Sequence, residues 1–274
     1  NIQLLQKKFA ENKLILGSHV GFDSPFVTEM IANQGFDFIW IDAEHSALDK
    51  KDIQTHLLAC RAAGAAGIVR VPWNDHTFIK GILDMGVDGI IIPMICSYQD
   101  AITAVAATHY PPDGIRGMGT RRACGYGEWE KATYVANTDQ YVWTILQIEH
   151  VDVVKDLEKI AALPGVSAFV IGPNDFSMSM NTAERRYKPS DPEVKEQFDK
   201  MQKDGKIYPY AEILRKSGKP FGVSGAYSEQ FVREWVNRGV HFISMGFDFN
   251  FVINGAKAVI TGTKALCQEI DRVY

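Results

Sequence analysis

The stretch DFIWIDAEHS, Asp37 to Ser46, decides how the chain is read. Phe38 to Asp42 reads as a strand that is apolar on successive residues, without the alternation of a strand that faces water on one side. Such a run fits a strand covered on both faces, as in a parallel sheet. Where the apolar residues stop, the chain places Asp42, Glu44 and His45 together. Two carboxylates and an imidazole at the end of a core strand point to chemistry at the carboxyl ends of a parallel sheet.

Runs of the same kind recur along the chain, at Leu14–Leu16, Phe38–Ile41, Gly67–Val71, Gly89–Pro93, Val142–Ile148, Ala168–Ile171, Phe221–Val223 and Phe242–Met245. Between most of them lies a segment of helical spacing. Pro25 to Ala32 follows the capping pair Asp23-Ser24, and Lys51 to Ala63 carries Ile53, His56, Leu57 and Cys60 on one stripe before Gly64. Further helices are expected at Thr77–Met85, Tyr98–Ala107, Val151–Leu163, Pro192–Gln202, Tyr210–Ser217, Glu229–Arg238 and Val252–Ala265. Eight strand–helix units over 274 residues predict a single-domain (β/α)8 TIM barrel spanning residues 1–274. A doubly wound open sheet is the alternative, since periodicity does not reveal closure. No G-x-G-x-x-G opens a helix after a strand, which argues against its dinucleotide-binding form.

A net charge of -4 and scattered Lys and Arg residues give no sign of a nucleic acid or an anionic membrane as partner. No apolar run reaches the roughly 18 residues needed to cross a bilayer. The first residues, NIQLLQKKFAENK, lack a signal-peptide core, so a soluble cytoplasmic protein is expected. Cys60, Cys96, Cys124 and Cys267 form no C-x-x-C pair and are expected to be reduced.

The strand ends then supply the candidate site. Strand two gives Asp42, Glu44 and His45, strand three Arg70, strand five Gln147, Glu149 and His150, and strand six Gly172, Asn174 and Asp175. Glu149 and Asp175, at neighbouring strand ends, repel each other unless a cation or a proton lies between them. Mg2+ suits such a pair, because it takes one or two carboxylates and completes an octahedron with water and substrate oxygens. Arg70 offers a planar fork for a substrate carboxylate. Asp42, three residues before His45, is placed to orient one imidazole nitrogen and leave the other as a base. The alternatives are a Glu149 that caps the next helix, an Asp175 paired with Arg70, and a His45 bonded to the backbone. Glu44 is assigned no role.

The segments IDAEHS, IVRVPWND, IIIPM, YPPDGIRGMG, LQIEHVDVV and FVIGPNDFS, in this order, resemble the HpcH/HpaI aldolase family of metal-dependent pyruvate aldolases, from about Ile15 to Asp248. The resemblance implies a barrel in a homo-oligomer, a trimer or a hexamer of two trimers, with the last helix swapped between neighbours. It implies Mg2+, Mn2+ or Co2+ held by Glu149 and Asp175, and Arg70 anchoring and polarising pyruvate. It further implies an acid/base dyad of Asp42 and His45, and a pyruvate pocket lined by Gln147, Gly172, Pro173 and Asn174. Asp84, by the same resemblance, reaches a neighbouring subunit's site. The implied reaction is reversible cleavage of a 4-hydroxy-2-oxo acid to pyruvate and an aldehyde. Decarboxylation of oxaloacetate with capture of the enolate, as in macrophomate synthase, is an alternative, and so is an oxo-acid-binding protein without catalysis. A Schiff-base mechanism needs a lysine within the barrel; none of the apolar runs contains one, and Lys219 only precedes one. The chain departs from relatives at Gly222 to Gly225, where they often place a larger apolar residue against the aldehyde. It also carries extra residues around Asp204–Glu212. The loop TRRACGYG is more basic than in many relatives, so Arg121 and Arg122 are candidates for an anionic acceptor and equally for a solvent-facing role.

Overall fold

All eight apolar runs become parallel strands, and they close on themselves. The computed structural model describes residues 1–203, 206–208 and 210–270. The strands are β1 (Ile15–Val20), β2 (Phe38–Asp42), β3 (Ala66–Arg70), β4 (Gly89–Ile92), β5 (Trp143–Ile148), β6 (Ala168–Ile171), β7 (Phe221–Gly225) and β8 (Phe242–Phe247). Each pairs with its sequence neighbours, and β8 pairs with β1, giving the expected (β/α)8 barrel rather than an open sheet. A small antiparallel hairpin, Met201–Lys203 with Lys206–Tyr208, stands where the helix predicted over Pro192–Gln202 gives way after Lys200. Asp204, part of the extra segment noted in the sequence, lies outside the described residues.

Two cores explain why the strands do not alternate. Successive side chains point to opposite faces of a strand. Phe38, Trp40, Ile68, Ile145 and Val170 fill the barrel interior. Their neighbours Ile39, Ile41, Val69, Leu146 and Ile171 belong to the layer between sheet and helices. Both faces are therefore dry. The N-terminal helix Ile2–Ala10, which the sequence reading omits, buries Ile2 and Leu5 in the interior cluster and so covers the barrel's amino-terminal end. The opposite end stays open. The helix Lys50–Ala63 starts at an Asp49 capping box and stops at Gly64, whose φ of 79° is left-handed, as its sequence indicated. No helix of the described residues is long and apolar enough to cross a membrane.

Candidate active site

Register places the first pair. Asp42 and Arg70 are direct neighbours on β2 and β3, both at the last position of their strands and both buried. A buried guanidinium needs a partner, and Asp42 provides it. Arg70 donates from Nε to Oδ1 at 3.0 Å and from Nη2 to Oδ2 at 2.6 Å. Its Nη1 lies 2.8 Å from Glu44 Oε2, an ionic contact without an aligned N–H. Burial pushes the Asp42 carboxyl up, but the Arg70 hydrogen bonds and charge outweigh it and hold the group below its ordinary value. Arg70 is thus clamped by Asp42, and the pairing of Arg70 with Asp175 does not form.

This geometry sets the surroundings of the expected Asp42–His45 dyad. Both Asp42 oxygens face the guanidinium, and Oδ1 also accepts from the backbone N–H groups of Glu44 and His45. Asp42 therefore shapes the turn that carries His45 but does not bond its ring. The carboxylate nearest the ring is Glu44, with Oε2 3.8 Å from His45 Nε2. The His45 side chain is 61% exposed, open to the cavity and to water. Glu44 was assigned no role from sequence, yet it sits inside the site beside Arg70. Burial raises its pKa against the pull of Arg70 and His45, and Asp42 and Asp175 raise it further.

Across the barrel mouth, Glu149 follows the last residue of β5. It is 1% exposed. Its Oε1 accepts from the backbone N–H of Met94 at 2.8 Å, and its Oε2 from the Gln147 amide. Met94 holds a left-handed φ of 55°, a conformation costing about 1–3 kcal/mol, to present that N–H. Glu149 does not cap the next helical turn, because His150 takes that place by accepting from Asp152 N–H at 3.2 Å. Gly172 lets the carboxylate lie against the chain. A Cβ there would stand 2.6 Å from Glu149 Oε2. Asp175 enters in the first turn of the helix Pro173–Ser179, half-buried and facing the same cavity. Burial pushes the Glu149 carboxyl up to about 7; the Met94 N–H opposes this and the Asp175 charge adds to it.

These oxygens fit a hard divalent cation. Glu149 is a sealed carboxylate with a second one beside it, and the carbonyl oxygen of Gln147 is buried without a partner. Among the described residues no three His, Cys, Asp or Glu side chains make a complete cage. A cation held by Glu149 and Asp175 would draw its remaining ligands from water and substrate, as Mg2+ commonly does.

The remaining third of the mouth comes from β1, β7 and β8, and the sequence reading missed it. His19 is 1% exposed and lies between the Trp40 and Phe247 rings, with centroids 4.5 and 4.4 Å away. Its Nδ1 is 3.0 Å from Ser244 Oγ and its Nε2 3.1 Å from Ser224 Oγ. Burial, then the Arg70 charge, push the imidazole down to about 3, against the opposing pull of Asp42. Asp248 accepts from the N–H groups of Gly21 and Phe22 at 2.7 Å each, fixing the loop after β1. A cavity of about 340 Å³ joins these parts, with Gln147, Gly172, Pro173 and Asn174 on one side and His19, Ser224 and Asp248 on another.

Several sequence candidates lie elsewhere in the subunit. Asp84 accepts from Arg116 at 3.4 Å and does not line the cavity. Arg122 donates to the carbonyl groups of Met85 and Gly86, and Arg121 is exposed on a separate groove. Lys219 donates to the Leu163 carbonyl at 2.6 Å, away from the mouth.

Residues 16–255 match the HpcH/HpaI aldolase/citrate lyase family. The chain is 31% identical over 245 residues to the 4-hydroxy-2-oxo-heptane-1,7-dioate aldolase of Escherichia coli, an alignment spanning 89% of this chain and 88% of that protein. A solved HpcH/HpaI aldolase/citrate lyase family protein from Burkholderia cenocepacia superposes with a TM-score of 0.83 at 25% identity, covering 96% of this chain and all of its own (100%). Macrophomate synthase superposes with a TM-score of 0.79 over 98% of this chain and 90% of its own, and at 24% identity this is a likeness of fold. The extent of these matches leaves one conclusion: the chain belongs to the HpcH/HpaI aldolase/citrate lyase family.

Proposed function

We propose that the chain is a cytoplasmic, divalent-metal-dependent aldolase that reversibly cleaves a 4-hydroxy-2-oxo acid to pyruvate and an aldehyde. The observation that carries the reading is the sealed carboxylate of Glu149, paired with Asp175 and within electrostatic reach of Arg70. Mg2+, Mn2+ or Co2+ held by Glu149 and Asp175 supplies positive charge where the keto oxygen becomes negative.

The chain's own groups do the rest. Arg70 has N–H groups beyond those spent on Asp42, and these hold the oxo-acid end and stabilise charge on its keto oxygen. Gln147 and the Gly172–Pro173–Asn174 segment set the floor on which pyruvate rests. In the cleavage direction His45 takes the proton from the 4-hydroxyl group. The C3–C4 bond breaks, its electron pair passes to the pyruvate enolate, and the carbonyl of the aldehyde forms. C3 then takes a proton from water to give pyruvate, and the exposed His45 returns its proton to the solvent. Asp42 positions Arg70, and Glu44 faces both Arg70 and the His45 ring. The same reading makes the enzyme a trimer or hexamer that exchanges its last helix, supported by the apolar stripe this helix leaves exposed.

Glu149→Gln keeps the shape and removes the charge. It is expected to lower metal-dependent kcat/KM by a hundredfold or more, measured as pyruvate release from a 4-hydroxy-2-oxo acid. Undiminished turnover by that variant, or by wild type after exhaustive chelation, would contradict the scheme.

A further inference from the structure

The metal-facing half of the mouth carries Arg70, Glu149 and Asp175, whereas the half built by β1, β7 and β8 places His19, Ser224 and one buried carboxylate, Asp248, around the cavity. His19 and Ser224 dominate it. Ser224 lines the cavity and is half-buried. A serine hydroxyl has one donor and two acceptor positions, and His19 Nε2 engages one of them. His19 cannot turn, because its ring lies between Trp40 and Phe247 and its other nitrogen meets the fully buried Ser244. The serine is therefore oriented from behind, with hydrogen-bonding capacity left for a molecule in the cavity.

We propose that Ser224, positioned by His19, is the acceptor-binding contact that selects a short hydroxylated aldehyde for the carbon–carbon bond. This inference rests on the aldolase reading. Three surroundings narrow the ligand. A carboxylated aldehyde finds no lysine or arginine among the cavity-lining residues of β1, β7 and β8, and the Asp248 carboxylate, which already accepts from the N–H groups of Gly21, Phe22 and Phe249, adds no positive charge there. An alkyl aldehyde has room against Phe22, Phe247 and Phe249 but leaves unused the hydrogen-bonding capacity of Ser224 that His19 does not take. A hydroxyl group on C2 of the aldehyde satisfies the serine while its carbon chain rests on the rings. The imidazole stays uncharged, so this selection holds throughout the neutral range.

The test compares three aldehydes with pyruvate and Mn2+: glycolaldehyde, propanal, which has the same number of heavy atoms, and anionic 4-oxobutanoate. In wild type, kcat/KM for glycolaldehyde should exceed that for either of the others at least tenfold. The glycolaldehyde-to-propanal ratio should fall at least fivefold in Ser224→Ala and in His19→Phe, and Ser224→Ala decides if the buried histidine variant fails to fold. Equal rates, a preference for propanal or 4-oxobutanoate, or a ratio that survives Ser224→Ala overturns the assignment. Exchange of the pyruvate methyl protons in D2O, without aldehyde, reports on the aldolase reading by itself. Exchange without a glycolaldehyde preference sinks the acceptor assignment alone; no exchange sinks both.

Discussion

Arg70 is the residue on which the charged half turns, and Asp42 is what makes its burial tolerable. Both side chains are 8% exposed. Removing one charge of such a pair strands the other and typically costs about 3–5 kcal/mol. Asp42→Asn should therefore lower the urea unfolding free energy by about 3 kcal/mol, with Glu44 limiting the loss, and raise KM for the oxo acid through a misplaced guanidinium. Wild-type stability in that variant would mean that Glu44 alone satisfies Arg70. His19 gives the pH dependence. Its folded value lies near 3 against an ordinary 6.5, so the unfolded chain binds a proton that the folded chain refuses. Stability from this group is complete above pH 6.5 and drains as the pH falls towards 3, by up to about 5 kcal/mol. Unfolding measured from pH 7 to 4 should show a shallower loss in His19→Phe than in wild type. His56 and His241, whose values are also lowered by burial, keep some slope in both. Identical slopes would remove His19 from the account.

At the scale of elements, the sequence was legible where a strand is apolar and illegible where a strand becomes the site. The apolar run of β1 stops at Leu16, yet the strand continues through Gly17, Ser18 and His19 to Val20. β7 likewise continues through Ser224 to Gly225, and β8 through Gly246 to Phe247. His19 on β1 and Ser224 on β7 lie beyond the apolar runs and line the mouth, so hydrophobic pattern cannot find them. Asp42, Arg70 and Glu149 were legible because an ionised side chain beside a buried strand demands a partner. Who the partner is depends on register, which the sequence did not disclose, and so the bidentate Asp42–Arg70 pairing was not legible beside the Asp42–His45 spacing. The junction of β6 with the helix Pro173–Ser179 carries its own test. Gly172 has an ordinary φ of -102°, so alanine there is penalised only by contact, with Glu149 Oε2 at 2.6 Å and Gln147 Nε2 at 3.1 Å. Overpacking of this kind costs about 1–3 kcal/mol. Gly172→Ala should weaken Mn2+ binding at least tenfold by titration calorimetry, because the carboxylate must move. Unchanged affinity would show that Glu149 is free to shift, or that it is no ligand.

For the whole molecule, the last helix is the part whose packing the single chain does not explain. Asp248–Glu269 has 22 residues, and only Asp248 is buried. Phe249, Val252, Ile253, Val259, Ile260 and Leu266 are all exposed. They fall with Ala256 and Thr263 on one stripe of three- and four-residue spacing, while Lys257 and Lys264 lie off it. Helices in water draw most of their stability from packing such a stripe, so this one needs a surface to cover it. The proposed exchange of last helices between subunits meets that need without altering the barrel. A carboxylate in the centre of the stripe should then disrupt assembly while leaving the barrel core intact. Ile260→Asp is expected to reduce the mass measured by light scattering from a trimer or hexamer to a smaller species. Its urea transition should also become less dependent on protein concentration, because association no longer contributes to stability. A wild-type chain that is monomeric at micromolar concentration would break the argument, since the exposed stripe would then persist in water with nothing upon it.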